Sequence, residues 1–477
     1  KTEAINRLDE FVGLLLKKLD LEKTLVMVVS PTPSRTMLKE KARLTPLIIS
    51  GLDFKEGVLS SETTRRNGIV TNLDIAPTVL SFFGADIPYQ MSGRPIFAVS
   101  QKDAISYLLS LNVRVTAIYQ VRNPVLATFV VFVVASILLS LFAFFLKRRG
   151  KTLKKEKNLL SRILLLWALS LPFAFLFQPP FVAASPWGAA LFSLVIALAF
   201  AGTVFLMSKE ATLSPIIVIT MITSLALLGD TLFGSKLMLQ SFFGSCPIAG
   251  GRFYGLGNTY MGAVVGASIV GITALTNKLP KDRKLALVVV ALFLLAVCII
   301  VGYPRLGANV GGLITCVGAS IITLLRLREG KIKHKHLLYA AIAVFSFLAL
   351  VIFVDLFIGA GKSHLGRAVE LIRMEGVKGV SDIISRKLTM NLRGIKSMHW
   401  GEILAVIILF LPLVLMRLKQ AKKIPSDLSW FYQGLIGASA GAIFALIFND
   451  TGIVAGGIIV IYVLAPLLYV LISEEKA

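Results

Sequence analysis

The chain has 477 residues, 56% of them hydrophobic, and a mean hydropathy of +0.80. That excludes an ordinary soluble domain: the apolar residues come in runs of about twenty, enough for a helix to cross a bilayer. The formal charge of +24 would suit a nucleic-acid binder, but most lysines and arginines sit in short segments between apolar runs. Membrane orientation accounts for that pattern, so no nucleic-acid partner is expected. Cys246, Cys298 and Cys316 show no CxxC spacing, and the last two fall within apolar runs, so neither a disulfide framework nor a zinc site is supported.

The chain begins at Lys1 with an amphipathic segment and reads as a fragment or a processed product. Residues 1–120 are soluble in character and are expected to form a partial α/β domain. NRLDEFVGLLLKKLD has apolar residues at helical spacing, and TLVMVVS (24–30) is a β-branched run that stops at Pro31. LTPLIISG reads as a second strand. GIVTNLDIAPTVLSFFG reads as a strand running into a helix, with Asp74 as its cap and Pro77 at its start.

The tracts TLVMVVS and LTPLIISG, with GVLSSETTRRNGIVTNLDIAPTVLSFFGADIPYQMSGRPI, resemble the C-terminal third of an alkaline-phosphatase-superfamily domain. That group includes phosphodiesterases, sulfatases and phosphoethanolamine or phosphoglycerol transferases. The resemblance covers about a hundred residues and is most specific from Gly68 to Arg94. In the family, the strand matching residues 24–30 runs into an Asp-His pair that binds a catalytic metal. Here Pro31 and Thr32 follow it, and no histidine precedes His334. Proline offers no side-chain ligand, so the resemblance implies a degenerate, non-catalytic relative with no metal or other cofactor.

From Pro124 onward about eleven spans are expected, at 125–146, 161–178, 187–207, 214–232, 258–276, 285–303, 308–325, 338–358, 402–416, 430–448 and 452–472. Thus the fold class is an α-helical membrane bundle (121–477) preceded by the α/β domain. KRRGKTLKKEKNLLSR, NKLPKDRK, RLREGKIKHKH and RLKQAKK are strongly basic, whereas the alternate connections carry almost no positive charge. The positive-inside rule then places the N-terminal domain outside the cytoplasm and the C-terminus inside. With no targeting segment visible, a bacterial or archaeal plasma membrane is expected. Connection 233–257 is apolar and glycine-rich, tolerable at membrane depth only when buried in protein or lining a cavity. Segment 359–401 reads as amphipathic helix on the outer surface.

With this topology four polar motifs share the outer face. They are GGRFYGLGNTYMG (250–262), YPRLGANVGG from Tyr303, GKSHLGR from Gly361 and FNDTG from Phe448. Flanking glycines leave amides open to an anion, and arginine offers a planar fork matched to phosphate. The expected substrate-binding residues are Arg252, Tyr254, Asn258, Arg305, Asn309, Arg367 and Asn449, with His364 and Asp450 as acid or base. Tyr254 and Tyr260 fit an interfacial aromatic belt equally well, and the arginines could instead pair with Asp230, Asp355 or Asp450. The favoured reading is a transferase or hydrolase acting on a lipid-linked, phosphate-bearing envelope precursor. One alternative is a transporter or lipid flippase, favoured by the glycine-broken segments near Gly250 and Gly456. Another is a scaffold whose outer domain binds an envelope protein and whose polar motifs satisfy one another.

Overall fold

A computed structural model describes residues 2–148 (except 52 and 89), 155–208, 212–244, 247–249, 252–277, 282–329 and 428–473, with isolated helical positions between 338 and 390. Apart from those positions, the spans expected at 338–358 and 402–416 and the segment 359–401 lie outside the described residues. The chain divides into two compact units, Lys1–Gln120 with Cys246–Tyr254, and Val121–Ser245 with Gly255–Ala477.

In the first unit, helix α1 (Thr2–Leu16) leads to strand β1 (Val26–Val29), α2 (Arg35–Lys39) and β2 (Leu47–Ser50). Strands β3 (Val58–Ser61) and β4 (Ile96–Val99) flank α3 (Ile75–Phe82), and α4 (Ala104–Arg148) follows. The strands form two separate antiparallel pairs, β1 with β2 and β3 with β4. Residues 24–30 and 44–51 supply β1 and β2 as the β-branched runs predict. The strand expected from Gly68 is absent, and the sheet partner of β4 lies ten residues earlier, at β3. Gly68 instead takes φ +81° in a tight turn, where the Thr64 hydroxyl donates to the Ile69 carbonyl at 2.6 Å.

Two-stranded sheets are marginal alone, so the β3–β4 pair needs a further tie. Asp74 supplies it. Fully buried, it accepts from the Ser61 hydroxyl at 2.8 Å, the Thr71 amide at 2.9 Å, the Arg94 amide at 3.0 Å and the Thr63 hydroxyl. Its side chain therefore does not cap α3 as the sequence pattern implies; it ties β3, the turn before α3 and the lead into β4 to one point. Thr78 extends the tie, donating to the Asp74 carbonyl at 2.6 Å and accepting from the Ile96 amide at 2.9 Å. At the α4 side, the Gln120 amide donates to the Glu40 carbonyl at 2.8 Å and Lys41 donates to the Gln120 carbonyl at 3.2 Å.

The second unit is a helical bundle. After α4 come α5 (Lys155–Ala174), α6 (Pro186–Met207), α7 (Ser214–Leu232), α8 (Asn258–Thr276), α9 (Arg283–Gly302), α10 (Val310–Glu329), α11 (Ser429–Phe448) and α12 (Gly452–Ser473). Eight of the described helices are long and apolar enough to cross a membrane, and α5 contributes a shorter apolar stretch at Asn158–Ala174. The protein is thus a multi-pass helical membrane protein.

Burial orders the bundle. In α8 and α12, 94% of the apolar span is buried, against 28% in α6 and 39% in α9. α8 and α12 form the axis; α6 and α9 present Leu191, Val195, Val288 and Leu292 outward. Close approach at the axis needs glycine: a Cβ on Gly266 of α8 would lie 2.7 Å from the Tyr462 Cβ of α12. Segment 238–244 is buried in protein, with Phe242 and Phe243 packed edge-on or tilted against Phe129, Phe175 and Tyr260.

Replacing Asp74 by alanine leaves two hydroxyls and two amides without their acceptor. The expected cost is about 3 kcal/mol, read as protease sensitivity of the first unit at lower urea than in the wild type. A Gly266→Leu chain should fail to assemble the α8–α12 axis and aggregate in detergent at temperatures the wild type tolerates.

Candidate functional site

Three of the expected site residues meet in the second unit, where α8 and α10 begin and α11 turns into α12. Asn309 is buried just ahead of α10. Its amide nitrogen donates to the Leu256 carbonyl at 2.9 Å and to Asn258 Oδ1 at 3.0 Å, while its Oδ1 accepts from the Gly312 amide at 2.8 Å. Asn258, the first residue of α8, passes the chain on, its nitrogen donating to Thr451 Oγ1 at 2.7 Å. Asn449, also buried, donates to Thr315 Oγ1 at 3.1 Å and to the Ala445 carbonyl at 3.2 Å.

The backbone joins in. The Leu256 amide donates to the Gly307 carbonyl at 2.8 Å, and Gly255 at φ +70° lies so close to Gly307 that a Cβ there would sit 2.5 Å from its carbonyl oxygen. Helix ends leave backbone groups without intrahelical partners, and a side-chain amide carries both donor and acceptor, so asparagine closes such ends in an apolar bundle. Together these bonds form a frame that fixes the loop 303–309 on the entrances of α8 and α10.

Arg305 lies in that loop. It is exposed and forms no hydrogen bond or ion pair with any described residue. Asp450 is exposed in the turn after α11, beside the buried Asn449. Asp230 does not serve an arginine such as Arg305: buried at the end of α7, it accepts from the Leu237 and Met238 amides, each at 2.9 Å, and so folds the connection that follows. Tyr260 is a core residue rather than an interfacial one, fully buried and hydrogen-bonded to Ser241 at 2.7 Å.

Arg252 and Tyr254 belong to the first unit. Arg252 is half-buried, and the Arg65 guanidinium lies over the Tyr254 ring, 4.3 Å from its centroid, in a cation–π contact. Arg65 also pairs with Glu62 at 3.2 Å. The contact of Arg65 with Tyr254 was not apparent from sequence, where the two lie 189 residues apart. His364 and Arg367 lie outside the described residues. Among the described residues no three His, Cys, Asp or Glu side chains gather as a metal site would require.

No family model, curated protein or solved structure matches the chain.

The asparagine frame makes a direct stability prediction. Asn309→Leu should lower stability by about 2–3 kcal/mol, because the Leu256 carbonyl, Asn258 Oδ1 and the Gly312 amide all lose a buried partner. Thermal unfolding in detergent reads this, and an Asn258→Ala, Asn309→Ala double variant should lose less than the sum of the single variants.

Proposed function

We propose that the protein is a plasma-membrane protein of about eleven spans with an outward-facing site for a phosphate-bearing lipid or lipid-linked envelope precursor. Its first unit lies outside the cytoplasm and its C-terminus inside. The observation that carries this reading is Arg305: an exposed guanidinium with no partner among the described residues, on a loop held rigid by an internally satisfied frame. A positioned arginine fork suits the oxygens of a phosphate, and holding the loop in advance lowers the ordering cost of binding. The expected anion-binding role of Arg252, in the first unit, belongs to this reading as well, and so does the degenerate phosphatase-like character that the sequence tracts of that unit carry.

The chemistry that follows is transfer or hydrolysis at the bound phosphate, with His364 and Asp450 as acid and base. The exposure of Asp450 leaves its carboxylate open to substrate.

A scaffold reading has its own observation. The asparagines already satisfy one another, and α1 leaves Ile5, Leu8 and Phe11 exposed along one side, a face for an envelope protein. The two readings part on the arginines. In native mass spectrometry of gently solubilised protein, a co-purifying lipid phosphate should accompany the wild type and be lost from an Arg252→Ala, Arg305→Ala double variant whose circular dichroism shows that it still folds. No specific lipid phosphate on either form would leave the scaffold reading standing and remove the anion-binding one.

A further inference from the structure

A second polar site lies at the opposite end of the bundle. Arg162, near the start of α5, donates to the Tyr469 hydroxyl of α12 at 2.9 Å. Its guanidinium carbon stands 4.9 Å from the Tyr469 ring centroid and 5.0 Å from that of Phe205 at the end of α6. No carboxylate among the described residues pairs with it, and its Nε is buried without a hydrogen-bond partner. Two other arginines of this end differ: Arg283 donates to the Leu327 carbonyl at 2.8 Å and Arg326 to Gln433 Oε1 at 2.7 Å.

Two more orphaned atoms accompany it. The Tyr462 hydroxyl donates to the Leu169 carbonyl at 3.1 Å, so residues 162 and 469, then 169 and 462, pair in opposite senses along α5 and α12. The same antiparallel register sets Asn158 opposite Ser473, one helical turn beyond the Arg162–Tyr469 pair. Asn158 Oδ1 and Ser473 Oγ are both buried without partners. An acceptor, a hydroxyl and a cation thus gather where α5 begins and α12 ends, each short of a hydrogen bond that a buried polar atom ordinarily has.

Depth identifies the ligand. Tyr469 lies 18 residues along α12 from Thr451, the partner of Asn258, a rise of about 27 Å at 1.5 Å per residue. That is close to the hydrocarbon thickness of a bilayer, about 30 Å, so the orphaned atoms fall at headgroup level of the other leaflet. The connection leaving α4 at this end, KRRGKTLKKEK, is rich in lysine and arginine, as polypeptide beside anionic lipid is.

We propose that Arg162, Asn158 and Ser473 form a binding site for an anionic phospholipid whose headgroup carries hydroxyls. The phosphate takes Arg162 Nε and the headgroup hydroxyls take Asn158 and Ser473; phosphatidylglycerol has this chemistry. The site is separate from the outward-facing one and does not depend on it.

Native mass spectrometry of the full chain in detergent, titrated with phosphatidylglycerol, phosphatidylcholine or inorganic phosphate, tests the site. Wild-type protein should retain phosphatidylglycerol in preference to phosphatidylcholine, with inorganic phosphate at millimolar concentration failing to displace it. Arg162→Gln should weaken phosphatidylglycerol retention about tenfold, as expected for loss of a charge-assisted hydrogen bond, and Ser473→Ala and Asn158→Leu a few-fold each. Equal retention of the two lipids by the wild type overturns the proposal. Displacement by inorganic phosphate alone overturns the assignment to a lipid. If Arg162→Gln does not fold, the two milder variants decide, and unchanged retention in both overturns it.

Discussion

An α-helical bundle in hydrocarbon has no water to complete its hydrogen bonds, so each polar side chain among the spans must find an acceptor or donor within the protein. Local return bonds meet most of this demand. Thr220 donates to the Ile216 carbonyl, Thr231 to Leu227, Thr273 to Ile269 and Thr323 to Ala319, each four residues back along its own helix. Ser224 and Ser268 instead bond each other at 2.6 Å, linking α7 to the axial helix α8. Such hydroxyls are no longer polar to their neighbours, which lets helices rich in serine and threonine pack as apolar ones.

Where a helix ends, local return bonds are not enough, and longer side chains take over. Asp230 closes the end of α7 by collecting two amides of the following connection, and Asn309 closes the start of α10 while reaching α8. Asp74 plays the same part in the first unit, where four donors converge on one carboxylate. In all three cases one buried side chain replaces secondary-structure bonds that the chain topology cannot supply. Folding of each connection is therefore coupled to a single residue.

Much of the bundle was legible in sequence because a span of about twenty apolar residues is a long, redundant signal, and the described helices fall at the expected spans with ends differing by a few residues, except that α4 starts at Ala104 and carries Pro124 inside it, well ahead of the span expected at 125–146. The strands were less so. β1 and β2 stand out as β-branched runs, whereas β3 is four residues long, ends in two serines and sits beside a tract that looks equally extended. The asparagine frame was half legible: the motifs were visible, but their partners lie 51 and 193 residues apart, and a sequence cannot say whether two polar motifs face a ligand or each other. Arg162 was hidden by its neighbours, since a basic residue at the edge of KRRGKTLKKEKNLLSR reads as orientation signal alone.

The difference between a side chain satisfied within the protein and one left open separates two classes of residue where α8 and α10 begin. Asn258, Asn309 and Asn449 use their side-chain amides within the frame, and an anion recruiting them would have to break buried bonds that cost about 1–3 kcal/mol each to leave unmade. Arg305 has no partner among the described residues, so in the proposed reading recognition of a charged ligand falls on arginine while asparagine keeps the loop in place. The same division holds where α5 meets α12. There the Tyr469 and Phe205 rings hold the Arg162 guanidinium and one of its NH2 groups donates to the Tyr469 hydroxyl, which leaves Nε as the buried donor without a partner.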